Sequence, residues 1–169
     1  MRLFIVAAIG LFASTGRTQA QVKSIDEIKI EKVGVDASLD DFRKLHPDAE
    51  IRKDEDNKYG VKVYLLKDQD GETYSYFHFL DDKLMSMNIT WTDKGLKEAG
   101  GEEKIVDKIV KKYGKADRTT ELDAGRFILW WRTEKTALIM HNTKFGLHLG
   151  VISQSVQKKL DELKKKSKN

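Results

Sequence analysis

The alternation of apolar and polar residues predicts the elements of this chain and their order. Stretches in which every second residue is apolar are typical of half-buried strands, whereas apolar residues three and four apart are typical of helices. The two patterns follow one another as helix, strands, helix, strands. This order predicts an α+β fold with a mostly antiparallel sheet, built from two tandem α-β-β-β-like units at about 30–95 and 96–155.

Three helices are predicted to pack on this sheet or to follow it. The first covers about 39–45, where Ser38 and Asp41 have the form of a capping box at the N-terminus. The second covers about 102–113 and ends at Gly114, a residue suited to closing a helix. Its apolar stripe consists of Ile105, Val106, Ile109 and Val110. A final amphipathic helix has an apolar side formed by Val156, Leu160 and Leu163.

In the first half, hairpin register predicts which side chains share a face of the sheet. A three-residue loop at 81–83 would place Phe77 opposite Met87 and Phe79 opposite Met85. These residues would form the core face, together with Ile89 and Trp91. The side chains of alternate residues would then point away from the core.

In the second half, the segment FILWWRTEKTALIMH (127–141) places two tryptophans side by side. Neighbouring side chains of a strand point to opposite faces, so Trp130 and Trp131 cannot both face one core. A turn at 134–135 would pair Trp131 with Leu138. It would also pair Leu129 with Met140, and the next strand would add Leu147, Leu149 and Val151 to the same face. Trp131 is therefore predicted to lie in the core and Trp130 on the other face.

The face opposite the core collects the candidate binding residues. Tyrosine and tryptophan are enriched at binding sites because they bury a large area with little loss of rotamer entropy. The candidates are Tyr74, Tyr76, His78, Trp130, His141 and His148. The alternative is that the second helix or the C-terminal helix covers this face, which would make it a second core layer.

Candidate chemistry beyond binding is sparse. His141 and His148 are predicted to face each other across a hairpin, but no third ligand for a metal follows from the sequence, so we predict neither a metal site nor a cofactor. Serine-hydrolase, zinc-protease and phosphate-loop motifs are absent, which favours a non-enzymatic protein. Two alternatives stay open: a hydrolase or metal-dependent enzyme with a site near His78, His141 and His148, and a structural or scaffolding protein.

The first twenty residues have the form of a secretory signal peptide. Arg2 precedes an apolar stretch at 3–13, which is too short to span a membrane, and small residues precede a cleavage position after Ala20. We therefore predict a signal peptide over 1–20 and a single mature α+β domain over 21–157, located in the periplasm or secreted and not spanning a membrane. The chain has no cysteine, so neither a disulfide nor a lipid-anchored cysteine is expected.

The net charge of +4 belongs to the end of the chain. Residues 158–169 hold six lysines and two acids, which predicts a basic helix end or tail. The candidate aromatic residues are not interleaved with basic ones, so no nucleic-acid partner is expected. A protein or another envelope ligand is the predicted partner.

Two segments resemble a known group of exported proteins. VGVDASLDDFRKLHPDAE is a glycine-bearing strand end followed by a short capped helix, and IVDKIVKKYGKADRTTE is a helix ending in Tyr-Gly with a strand after it. Both resemble the repeated unit of the BamE/beta-lactamase-inhibitor-protein-like domains of bacteria. The resemblance implies an exported protein that binds another protein through a sheet surface. The lipid-anchor cysteine and the disulfides of those proteins are absent, so no functional residue is carried over.

Overall fold

The computed structural model describes residues 24–52 and 59–167. The predicted signal peptide lies outside the described residues, as does the end of the basic tail at 168–169. Cleavage after residue 20 therefore stays a prediction.

Within the described residues, the chain forms an α+β fold with one large antiparallel sheet, as predicted. Eight strands lie side by side in the order β3 (Glu50–Arg52), β4 (Val61–Lys67), β5 (Thr73–Leu80), β6 (Lys83–Trp91), β10 (Gly146–Ser153), β9 (Thr136–Thr143), β8 (Phe127–Arg132) and β7 (Arg118–Glu121). A separate two-stranded hairpin precedes them, formed by β1 (Lys29–Ile30) and β2 (Val33–Gly34). The described helices are α1 (Leu39–Leu45), α2 (Asp93–Glu98), α3 (Glu102–Tyr113) and α4 (Gln154–Lys166).

The predicted bounds of α1 (about 39–45) and α3 (about 102–113) are confirmed, and so are the signals at their ends. The Ser38 hydroxyl accepts a hydrogen bond from the backbone N–H of Asp41 at 3.1 Å, which satisfies a free donor at the start of α1. Gly114 follows α3 with a φ of +83°, a conformation that side chains disfavour. Helix α2 was not predicted, because six residues are too few to show a helical apolar stripe.

Each half of the sheet is a meander of four described strands, β3–β6 and β7–β10. The alternation of apolar residues predicts only three strands in each half. The additional strands, β3 and β7, lie at the two edges of the sheet and are three and four residues long. Their residues are almost all exposed, so they carry no alternating pattern from which a strand could be recognised.

One face of the sheet, which we call the covered face, holds the main hydrophobic core. Phe42 of α1 is fully buried against Phe77 and Phe79, with ring centroids 4.8 and 5.2 Å away. Ile105 of α3 and Val33 of the N-terminal hairpin belong to the same cluster. Burial of this apolar surface is the main favourable term in folding, so α1, α3 and the hairpin are fixed on this side.

The predicted register of the second half is confirmed. Trp131 pairs with Leu138 and Leu129 pairs with Met140 across β8 and β9. Trp131 is only 3% exposed, and its indole N–H donates to the carbonyl oxygen of Gly114 at 2.9 Å. The core tryptophan therefore also holds the end of α3 against the sheet.

The predicted register of the first half is partly wrong. Phe77 pairs with Met87 as predicted, but Phe79 pairs with Leu84 and not with Met85. The loop is a two-residue turn in which Asp81 and Asp82 both have positive φ, as the tight turns of hairpins require. A β-bulge after this turn leaves Met85 without a partner on β5 and turns its side chain to the other face.

Helix α4 packs on that other face, at the end nearest this bulge. Val156 and Leu160 form a small buried cluster with Leu80 and Met85, and Leu163 packs against it. The predicted apolar side of the C-terminal helix is thus the side that contacts the sheet. The bulge is what supplies Met85 to this contact.

The two adjacent tryptophans provide a test of the assignment of faces. We expect Trp131→Ala to lower the free energy of unfolding by roughly 3–5 kcal/mol, because it leaves a large cavity in the core. Trp130→Ala should cost only about 1 kcal/mol, since that side chain is partly exposed. Chemical denaturation of both variants measures the difference. Equal losses would contradict the assignment.

Candidate binding face

The face opposite the main core, which we call the open face, is left uncovered by α1 and α3. Strand pairing aligns its side chains in rows that cross the sheet. One row consists of Tyr76, Asn88, Gly150, Ile139 and Trp130, each paired with the next across neighbouring strands. All five residues are partly exposed. Helix α4 covers only one end of this face. The alternative, in which a helix turns the face into a second core layer, therefore applies only at that end.

A second row runs beside the first. It consists of Tyr74, Thr90, His148, His141 and Ile128, again paired in that order. Five of the six residues predicted from the sequence, all except His78, therefore lie in two adjacent rows of one face. They do not form a single patch, however. With strands about 4.8 Å apart, Tyr76 and Trp130 are separated by roughly 19 Å.

His78 lies apart from the other two histidines. It pairs with Ser86 of β6, whereas His148 pairs with Thr90 of the same strand. The four residues between these positions correspond to roughly 13 Å along the strand. The Ser86 hydroxyl and His78 Nδ1 are 3.1 Å apart. The structure therefore does not gather the three histidines of the enzyme hypothesis into one centre.

His141 and His148 are in direct contact. Their rings stack with centroids 4.9 Å apart and an interplanar angle of 20°. Both ring nitrogens of His148 are hydrogen-bonded to hydroxyls, Nδ1 to Thr90 at 2.9 Å and Nε2 to Thr143 at 3.0 Å. Partial burial lowers the pKa of His141 below its usual value, and burial together with the neighbouring His141 lowers the pKa of His148. The lowered pKa favours the neutral form of both rings.

A pocket of about 370 Å³ opens beside this histidine pair. Its lining residues come from three central strands and from α4, and they are Ser86, Asn88, Ile139, His141, His148, Gly150, Ile152 and Gln157. Among these described residues there is no lysine, arginine, aspartate or glutamate. The pocket therefore offers neutral hydrogen-bonding groups between apolar walls.

A larger groove of about 490 Å³ adjoins this pocket along α4. The two cavities share Ile152 and Gln157, and the groove extends from there to Trp130. Its outer part is charged, with Arg132, Glu134, Lys158 and Asp161 in the lining. The guanidinium of Arg132 lies 5.4 Å from the centre of the Trp130 ring, a cation–π contact that orients the indole.

No acidic side chain belongs to the described lining of the histidine pocket. Within residues 24–52 and 59–167, no group of three or more histidine, cysteine, aspartate or glutamate side chains could hold a metal ion. Histidine is the commonest general acid or base, so His141 and His148 are the groups of this lining that could transfer a proton. In its neutral form the pair can also donate and accept hydrogen bonds.

Sequence reasoning missed several residues of the pocket, namely Ser86, Asn88, Gly150, Ile152 and Gln157. Ser86 and Asn88 are contributed by β6, which meets β10 only in the folded structure. The one signal available in the sequence was the glycine in the middle of GLHLGVIS, a segment that otherwise alternates as a strand.

Comparison with solved structures shows the fold that this chain shares with a known protein. No family model and no curated protein matches the chain. A DUF4309 family protein, YjgB, from Bacillus subtilis is similar in structure, with a TM-score of 0.53 and 13% identity over 76% of this chain and 88% of that one. At this identity the similarity shows the fold alone.

A cysteine-rich secretory protein from Staphylococcus aureus is a weaker match, with a TM-score of 0.39 and 12% identity over 72% of this chain and 44% of that one. Across the part of the chain that the structure describes, no helix is long and apolar enough to cross a membrane.

The neutral histidine pair predicts a pH dependence of stability. His141 and His148 bind protons less readily in the folded chain than in the unfolded chain, where the pKa of histidine is about 6.5. Their contribution is therefore complete above pH 6.5 and is lost as the pH falls from there through their lowered pKa values. We expect the Tm to decline between pH 7.5 and 5, measured by thermal unfolding.

A variant with both His141→Gln and His148→Gln should show a smaller decline, because glutamine does not titrate. Its Tm at pH 7.5 serves as the reference for the substitution itself. A decline as steep as that of the wild type would contradict the assignment to this pair.

Proposed function

We propose that the chain is an exported, non-enzymatic binding domain that holds a protein or another envelope ligand on its open face. The observation that carries this proposal is the distribution of the helices. Helices α1 and α3 contribute to the core on the covered face, and α4 covers one end of the open face. Tyr74, Tyr76 and Trp130 are left partly exposed beside neutral polar groups.

The exposed aromatic residues favour binding over a purely structural role. An aromatic side chain at a strand surface gains little stability where no other element packs on it, whereas it gains much when a ligand covers it. The connected cavities beside α4 provide concave surface, which is typical of ligand sites.

Export is part of the same proposal and is supported by the sequence. The basic, apolar and small-residue segments of 1–20 have the order of a signal peptide. We also propose that the two halves are tandem units of the kind found in BamE/beta-lactamase-inhibitor-protein-like domains. Two four-stranded meanders, each preceded by helix, support this relation.

A crosslinked pull-down from bacterial envelope and culture fractions tests the binding proposal. The bait is the purified chain, compared with Trp130→Ala and with a control, Leu45→Ala. Leu45 is also a large apolar residue and is 50% exposed, but it lies on α1, on the other side of the sheet. We expect a partner that the wild type and the control capture and that Trp130→Ala captures at least ten times less.

Circular dichroism of each variant verifies that it is folded. Capture of the same molecules in equal amounts by all three proteins would overturn the assignment of binding to this face.

A further inference from the structure

Gly150 lies in the interior of the sheet at a position where no structural feature calls for glycine. It is in the middle of β10, and its pairings with Asn88 and Ile139 continue the ladders on both sides without a register shift. Glycine in the interior of a strand weakens it, because it adds backbone entropy to the unfolded chain and offers no side chain to pack. Such a glycine marks a bulge, a sharp bend or the close approach of another group.

Two other glycines, Gly95 and Gly146, have structural reasons that Gly150 lacks. A Cβ on Gly95 would lie 2.1 Å from the carbonyl oxygen of Glu72, and Gly146 combines a φ of +127° with a similar clash. The backbone of Gly150 is outside the left-handed region, and the one atom near a Cβ there would be the Ile139 carbonyl oxygen at 3.9 Å. The pocket of about 370 Å³ includes Gly150 in its lining, so a side chain there would enter this pocket.

We propose that the pocket above Gly150 is a subsite for one ring of a neutral saccharide, an inference that rests on the proposed binding function of the open face. The missing side chain allows the ring to approach the sheet. Ile139 and Ile152 provide apolar contact for its C–H groups.

The polar groups around the pocket match hydroxyls. Sugar hydroxyls both donate and accept hydrogen bonds, and so do the side chains of Ser86, Asn88 and Gln157. A neutral imidazole has one donor and one acceptor nitrogen, and those of His141 make no hydrogen bond within the described residues. A charged ligand would lose its hydration here without an opposite charge in the lining, which disfavours it strongly.

The adjoining groove gives space for further rings. It continues from the shared residues Ile152 and Gln157 to Trp130, two strands away from Gly150, or roughly 10 Å. An indole ring is a large apolar surface with a polar edge, suited to the C–H face of a sugar. A saccharide of several units can therefore occupy the Gly150 pocket and contact Trp130 at once.

Calorimetric titration with defined tetrasaccharides tests this proposal. The neutral probes are cellotetraose and tetra-N-acetylchitotetraose, and the charged probe is the same chitotetraose without its acetyl groups, whose free amino groups bind protons near neutral pH. We expect the purified chain to bind at least one neutral probe and to bind the deacetylated probe at least ten times more weakly.

Gly150→Val should weaken binding of the neutral probe at least ten-fold, because the new side chain fills the floor of the pocket. Its Tm should stay unchanged or rise by a few degrees, since a β-branched residue suits a strand better than glycine does. The matched control is Gly34→Val. Gly34 is a strand glycine away from the open face, and its backbone also has no positive φ. A Cβ there would lie 3.9 Å from a flexible lysine side chain.

Three results would overturn the inference. One is equal binding of a neutral probe by the wild type and by Gly150→Val. Another is a loss of Tm in Gly150→Val as large as that of a core truncation, since the glycine would then be structural. The third is a chain that binds no neutral probe although it still captures a Trp130-dependent partner. The proposed binding function would then stand, and the saccharide inference would fail. Loss of both capture and saccharide binding would count against the two proposals together.

Discussion

The pairing of β6 with β10 is the contact on which the rest of the molecule depends. Six consecutive residue pairs, from Leu147 opposite Trp91 to Ile152 opposite Ser86, join the last strands of two meanders. This ladder makes the core under α1 continuous with the core under α3. It also brings Asn88 beside Gly150, so the central pocket of the open face exists only because the two halves are joined here.

The difference between the two faces follows from how the helices are distributed. Helices α1 and α3 join the cluster on the covered face, where phenylalanine, methionine and leucine side chains alternate inward along the central strands. Helix α4 is highly charged and has a narrow apolar side, so it covers only the end of the open face near Leu80. What is left is a wide surface with a neutral centre beside a partly charged groove, an arrangement that suits a ligand better than a further core layer.

The sequence predicted those parts of the fold that depend on local signals. The cap at Ser38, the glycine at Gly114 and the two-residue turn before Thr136 fixed two helices and one hairpin, so Trp131 was placed in the core correctly. A bulge leaves no mark in an alternating pattern, which is why Met85 was assigned to the wrong face.

The pocket could not be predicted in the same way. Hairpin register relates only strands that are neighbours in the chain, whereas this pocket combines β6, β9, β10 and α4. The pattern predicts single candidates such as His141 and His148, but their place around one cavity with Asn88 depends on pairing between distant segments.

The β6–β10 ladder also has a consequence for how the chain reaches its folded state. Strand β6 ends at Trp91 and β10 begins at Gly146, so more than fifty residues separate the two strands along the chain. Contacts between such distant segments slow folding. Until β10 is available, β6 is a nine-residue edge strand with several apolar residues, which is the kind of edge that pairs with other chains. The nascent chain is therefore most exposed to aggregation in the interval before its last strand is in place.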